Sequence, residues 1–268
     1  MQVNSVGLYN NLSGLSKPQK NDVLNFSEKY TNRIQTSIYN TKGTHVYFGG
    51  LAKGIDVFEN ECIDLLRAAR NGRKRKFAED EIANILKKLQ KVKDPSDKRN
   101  VLLEVLELNE ENLYNVPDNK LFETIVGLVA GRPEKERFAI LEFAANEMEN
   151  ATKPLEIFSK LSDTQQNNLT KLLVKVDDVN RQSFFKDNDA RIQIVNSLYD
   201  TFRIPLYAHE DVAGMNVFRI PGYKDKNLQI LNEDMDFYKK QDCYANETAK
   251  SKILSVVDSI TDYFKKSV

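Results

Sequence analysis

Apolar residues recur at intervals of three and four along most of this chain, a spacing that places them on one face of an α-helix. One such stripe covers residues 55–69, and Asn71 and Gly72 follow it as a stop signal. Another runs from Ile253 to Phe264 near the end of the chain. The pattern predicts a mainly helical protein.

Between these two stripes, short apolar stripes alternate with turns and pair into helical hairpins that recur about every 30 to 40 residues. The first helices of the hairpins begin near Ile82, Leu121 and Leu155, and the second helices near Asp97, Glu134 and Thr164. The turn sequences 94–99 and 132–137 are also similar to each other. The spacing therefore predicts repeated units.

A helical hairpin cannot bury its apolar face alone, so hairpins with this period are expected to stack into an α-solenoid. In general form this resembles armadillo and HEAT arrays, although the sequence meets the consensus of neither family. A non-repetitive bundle is the alternative, because any Leu-rich helical chain gives similar periodicity. We predict an all-α fold, either a short α-solenoid of helical hairpins or an irregular helical bundle.

The chain divides by pattern into three parts. Residues 1–50 are expected to form a partly disordered arm with one helix, and residues 51–201 the helical-repeat domain. In residues 202–268, Phe-Arg-Ile-Pro occurs at 202–205 and again at 218–221, ahead of further helices that pack on the same domain. Proline disfavours helical backbone at the residue before it, so Ile204 and Ile220 are expected in extended segments that flank a loop near 202–223.

Composition adds constraints on the class of protein. With 268 residues, 11 Gly and 7 Pro, the chain is long enough to bury a core and too poor in turn formers for a loop-rich fold. Cys62 and Cys243 stand apart, without metal-site or redox spacing, so we expect no cofactor and a reducing compartment. No signal peptide or membrane-spanning run occurs, which favours a cytoplasmic protein; the polar, uncharged residues 1–16 leave non-classical secretion as an alternative.

The net charge is zero, yet the charges are segregated. Residues 67–99 hold 12 Lys+Arg against 5 Asp+Glu, and residues 104–156 hold 5 against 12. Neighbouring repeats of opposite sign are expected to attract each other at short range.

A basic run is the first candidate binding site. It contains Arg70, Arg73, Lys74, Arg75 and Lys76. Such a run binds phosphates by displacing counterions. Cations are also favourable at a helix C-terminus and in a solvated turn, and this structural interpretation is preferred.

The loop between the two Phe-Arg-Ile-Pro copies is the second candidate. It brings His209, Glu210 and Asp211 between Arg203 and Arg219. A His beside a carboxylate is able to act as a general base or as a metal ligand. Adjacent residues of an extended segment point to opposite sides, so shared metal binding is disfavoured, and a structural role in closing the end of the helical stack is preferred.

No P-loop, GxSxG or HExxH motif occurs in the sequence. We therefore expect a non-catalytic protein–protein interaction or scaffold module, whose partner is another protein or a peptide. The alternatives are polyanion or nucleic-acid binding through residues 67–76 and an enzyme with its site at the 203–219 loop.

Overall fold

The computed structural model describes residues 54–69, 76–111, 119–148, 153–209 and 222–267. Within these ranges the chain forms ten α-helices, one 3-10 turn and no strand. The helices are α1 (Gly54–Ala68), α2 (Glu79–Leu89), α3 (Pro95–Glu111), α4 (Asn119–Val129), α5 (Glu134–Met148), α6 (Lys153–Lys160), α7 (Asp163–Val179), α8 (Asn188–Tyr207), α9 (Tyr223–Lys240) and α10 (Glu247–Ser267), and the 3-10 turn is Gln182–Phe184. The predicted all-α class is confirmed, whereas the predicted N-terminal arm lies outside the described residues.

Local side chains set where several helices begin. Before α7, the Ser162 hydroxyl accepts a hydrogen bond from the Gln165 N–H, and the Gln165 side chain accepts one from the Ser162 N–H in return. Before α8, the Asp187 carboxylate accepts the Ala190 N–H at 2.7 Å. These caps satisfy N–H groups that have no partner inside the helix.

The helices pack in two rows. The first row contains α1, α3, α5 and α7, and the second row contains α2, α4, α6 and α8. Each helix packs on the next member of its own row, and most also pack on the helix that follows in sequence. After α8, the C-terminal helix α10 packs against α7, α8 and α9 and so closes one end of both rows.

The turns that follow α2 and α4 contact each other, and the turn after α4 also contacts the start of α7. These two turns and the α6–α7 turn are here called the turn edge. Gly131 has φ +79° and lies so close to the α2–α3 turn that an added Cβ would be 2.8 Å from the Lys91 carbonyl oxygen. Arg132 reaches the next unit, with Nη1 donating to Asn167 Oδ1 at 3.0 Å and Nη2 to Gln166 Oε1 at 3.3 Å. Successive hairpins are thus joined by specific contacts between their turns.

A continuous cluster of buried apolar residues runs from Cys62 to Phe264. Phe143 of α5 is fully buried in it, with its ring centroid 5.1 Å from that of Phe202 in α8. Cys62 is 1% exposed, as its place on an apolar stripe predicted. Burial of a stripe on each helix provides the main force that holds the two rows together.

The predicted extended segment at 202–207 is wrong. These residues form the last turns of α8, with Pro205 inside the helix. Phe202 and Leu206 are fully buried, so the helical conformation places both side chains in the core. Pro205 lies near the helix end, and the backbone stays helical beyond it, since the Ala208 N–H donates to the Ile204 carbonyl oxygen at 3.2 Å. The burial of Phe202 and Leu206 therefore outweighs the preference for extended backbone at the residue before proline.

Part of the acidic segment 104–156, here called the acidic block, is buried; residues 67–99 are called the basic block. Glu104, Glu142 and Glu147 are 2%, 5% and 1% exposed. Glu104 accepts two hydrogen bonds of 2.8 Å from Arg137, which joins α3 to α5 within the first row. Three of the twelve acidic residues in 104–156 are therefore buried within the described part of the fold. Among the described residues, two ion pairs join the basic block to the acidic block, the partly exposed pair Lys88–Glu123 at 3.9 Å and the pair Arg137–Asp97 at 3.4 Å.

None of the helices in the described ranges combines the length and the apolar character that crossing a membrane requires.

Candidate functional site

Most residues of the two predicted sites lie outside the described ranges. These residues are Arg70, Arg73, Lys74, Arg75, Glu210, Asp211 and Arg219. The structure places the other three, which are Lys76, Arg203 and His209.

At the end of the basic run, Lys76 is exposed. Arg67, at the start of the run, forms a two-point ion pair with Glu79, with Nε and Nη2 each 3.1 Å from a carboxylate oxygen. Both side chains are more than half exposed, at 56% and 73%, so this pair contributes little to stability. Phosphate binding by the run stays a prediction.

Arg203 is used inside the fold. Its Nε donates to Glu147 Oε1 and its Nη2 to Asn146 Oδ1 at 3.0 Å, while Nη1 donates to Asp200. Burial raises the pKa of Glu147, and the charge of Arg203 opposes this rise. The guanidinium therefore ties α8 to α5 between the two rows.

His209 is buried between helices, with 4% of its surface accessible, and is not an exposed loop residue. Its Nε2 lies 3.0 Å from the Tyr263 hydroxyl and its Nδ1 lies 3.4 Å from Gln165 Nε2. Because an amide nitrogen donates, Nδ1 accepts and Nε2 carries the proton. Burial also lowers the pKa of His209, which favours the neutral ring. The imidazole thus connects α7 to α10.

The structure does not bring Arg203 and His209 together. Arg203 faces α5, whereas His209 faces α7 and α10, and the hydrogen bonds of the two side chains share no partner. Across the described ranges, no three His, Cys, Asp or Glu side chains are grouped in a way that would hold a metal ion.

The sequence analysis missed a groove between α7, the 3-10 turn and α10, here called the α7–α10 groove. It is an open cavity of about 470 Å³. Its lining residues are Lys175, Asp178, Val179, Arg181, Phe184, Lys252, Ser255 and Val256. The volume falls within the range of pockets that hold small ligands.

Contacts with the protein position two of the three cations in the groove. Lys175 Nζ donates to Ser259 Oγ at 2.9 Å, across the gap from α7 to α10. Lys252 Nζ lies 5.0 Å from the centroid of the Phe184 ring, within the range of a cation–π interaction. The cations therefore come from separate elements and converge on one opening.

Asp178 is the one carboxylate among the lining residues. It pairs with Lys135 of α5 at 2.8 Å and lies 3.7 Å from Arg181. The groove therefore keeps an excess of positive charge beside an apolar floor formed by Val179 and Val256, each 4% exposed. Such an arrangement is suited to hold an anionic group that is attached to an apolar one.

Sequence reasoning had no signal for this groove because its cations are far apart in the chain. Lys175 and Arg181 lie around the end of α7, whereas Lys252 belongs to α10. In the sequence, Lys252 is recognised only as a polar residue beside the C-terminal apolar stripe that begins at Ile253. The antiparallel docking of α10 on α7 brings the three residues together, and no local pattern encodes that docking.

No family model, no curated protein and no solved structure gives a significant match to this chain.

Proposed function

We propose that this chain is a non-catalytic binding module, built on helical repeats, that holds another protein or a peptide. The observation that carries the proposal is the pair of helix rows with their aligned turns. In a repeat stack each unit contacts mainly its neighbours, and the outer faces of the rows provide an extended surface for a partner. We take the two rows as a short α-solenoid on this basis.

The use of polar side chains inside the fold also supports binding over catalysis. His209 is engaged on both ring nitrogens, and Arg203 is occupied by partners on α5 and α8. Groups used in this way hold helices in place and are not presented to a substrate. The α7–α10 groove, by contrast, offers charged groups at an open surface.

Site-specific photo-crosslinking combined with affinity purification tests this proposal. A benzophenone amino acid is placed, one position at a time, at exposed residues of the first row (Lys171), the second row (Glu156) and α9 (Gln229). We expect one row to give a discrete adduct of constant mass that mass spectrometry identifies as a single protein. The purified partner should then bind the full chain with a fixed stoichiometry in calorimetry.

The position on α9 serves as the matched control, because α9 lies outside both rows. Variants must retain the helical circular dichroism of the unmodified chain. A failure to form a discrete adduct at any position on either row contradicts the proposal, as does an adduct confined to α9.

A further inference from the structure

The α7–α10 groove presents positive charge that the fold itself does not neutralise. Lys175 and Lys252 have neutral contacts, a hydroxyl and an aromatic ring. Asp178, the carboxylate in the lining, is already shared between Lys135 and Arg181. A ligand that brings negative charge would therefore complement this opening.

The positions of the cations are restricted before any ligand arrives. Lys175 is oriented by Ser259, and Lys252 lies over the ring of Phe184. Ordering a long side chain on binding has an entropic cost, which is smaller when the side chain is already held. Two of the three exposed cations of the groove are thus partly oriented before an anion binds.

The apolar lining of the groove restricts which class of ligand fits it. Val179 and Val256 lie at the base of the groove, and the half-buried Phe184 forms one wall. A simple anion would leave this surface uncovered. A segment in which carboxylates flank an apolar side chain satisfies the rim and the floor together.

The same features favour a peptide over a nucleic acid. Asp178 at the rim would repel a continuous phosphate backbone, and single-stranded nucleic acids need free aromatic faces on which bases stack. The aromatic ring of the groove, Phe184, is already covered by Lys252. Separate carboxylates on a flexible peptide are able to reach Lys175 and Lys252 while avoiding Asp178.

We infer that the α7–α10 groove binds an acidic segment of a partner protein, in which Asp or Glu residues flank an apolar side chain. The carboxylates contact Lys175, Arg181 and Lys252, and the apolar side chain packs on the half-buried Phe184, beside Val179 and Val256. This inference rests on the proposed binding function and assigns it a surface and a class of partner.

Fluorescence anisotropy with the full chain tests the inference. The probe is a short fluorescein-labelled peptide in which Asp and Glu alternate with Leu, and its comparison replaces each acid by Asn or Gln. We expect the acidic probe to bind at least about tenfold more tightly than the amide probe, with an affinity that falls as salt rises. The variant Lys175→Gln/Arg181→Gln/Lys252→Gln should lose at least about tenfold in affinity.

The matched control removes the same charge elsewhere. Lys224, Lys226 and Lys240 are exposed on α9, away from the groove, and the variant Lys224→Gln/Lys226→Gln/Lys240→Gln should bind the acidic probe within about twofold of the unmodified chain. Equal losses in the two triple variants would show attraction to net charge alone and would overturn the inference. Unchanged binding by the groove variant, or no binding of the acidic probe by the unmodified chain, would also overturn it.

Two further results separate this inference from the function on which it rests. An oligouridylate that binds more tightly than the peptide and displaces it would assign the groove to nucleic acid and overturn the inference. If the groove variant still binds the partner identified by photo-crosslinking with unchanged affinity, the groove assignment fails while the binding function stands.

Discussion

Individual ionisable side chains in this protein are shifted mainly by burial. Asp177, at the end of α7, loses hydration and lies beside Asp178, and together these raise its pKa to about 6. The pKa of His209 is shifted downward instead, because burial disfavours the charged imidazolium. The two groups therefore give the free energy of unfolding opposite dependences on pH.

For Asp177, the folded state holds a proton that the unfolded chain releases between about pH 4 and pH 6, so its contribution to stability falls as pH rises through that window. Asp177→Asn removes the buried charge and should raise the free energy of unfolding by about 1–2 kcal/mol near pH 7.5. The gain should shrink toward pH 4. Urea unfolding followed by circular dichroism measures both effects.

Asp178→Asn is the control for this prediction. Removal of the Asp178 carboxylate relieves the repulsion on Asp177 but also removes the ion pairs with Lys135 and Arg181, so Asp178→Asn should stabilise the fold less than Asp177→Asn near pH 7.5. An Asp177→Asn effect that does not change with pH would contradict the assigned titration.

For His209, the unfolded chain binds a proton more readily than the folded chain, so stability should fall as pH drops through and below about 6.5. The slope from this single group is at most about 1.4 kcal/mol per pH unit. His209→Gln should reduce this loss of stability at acidic pH, as measured by urea unfolding. The variant is made in the Asp177→Asn background, which removes the opposite pH dependence that Asp177 contributes. An unchanged loss of stability at acidic pH would show that His209 is not the group responsible.

Whole helices are held in register by contacts that differ in strength. Gly131 brings two turns of the turn edge together, and the buried pair of Glu104 and Arg137 joins α3 to α5. Both features join units that are distant in sequence, so their removal should weaken the contact between hairpins.

Gly131→Ala should be more destabilising than Gly222→Ala. Both glycines have positive φ, +79° and +76°, so both substitutions introduce backbone strain of about 1–2 kcal/mol. At Gly131 the new Cβ would also be 2.8 Å from the Lys91 carbonyl oxygen, whereas at Gly222 nothing lies within 4 Å. We expect an additional loss of about 1 kcal/mol or more at Gly131 in urea unfolding, since relieving that overlap requires backbone movement. Equal losses would show that the two turns do not touch.

Arg137→Met leaves the buried Glu104 carboxylate without its partner and should reduce the free energy of unfolding by about 3–5 kcal/mol. Glu104→Leu/Arg137→Met removes both charges and should be less destabilising than Arg137→Met alone, as measured by a double-mutant cycle. The same cycle on the exposed pair Arg67 and Glu79 should give a clearly smaller coupling energy, because solvent screens that pair. Similar coupling energies for the two pairs would contradict the assigned burial.

Across the whole molecule, the three-four spacing of apolar residues was sufficient to predict the helices, because burial of one face dominates their stability. The rule that proline disfavours helical backbone at the preceding residue failed at Ile204, where packing of Phe202 and Leu206 holds a helical turn. The local sequence pattern also did not predict the hydrogen bonds of His209, because its partners Gln165 and Tyr263 lie on other helices.

The candidate site could not be predicted for a related reason. The basic run was visible because its cations are adjacent in sequence, whereas Lys175 and Lys252 meet only when α10 docks on α7. Charge that is gathered by tertiary packing leaves no local signature. The C-terminal helix thus both covers the apolar end of the rows and forms one wall of the α7–α10 groove.

The hairpins stack in order along two rows, and electron spin resonance of labelled chains measures this order. Labels at Lys93, Glu134 and Thr164, all exposed near successive turns of the turn edge, are introduced in pairs after replacing Cys62 by Ala and Cys243 by Ser. With about 10 Å between packed helices, we expect Lys93–Glu134 and Glu134–Thr164 to be short and Lys93–Thr164 to be about 20 Å, roughly twice either neighbouring separation. Three similar distances, or a Lys93–Thr164 distance shorter than the other two, would contradict an ordered stack.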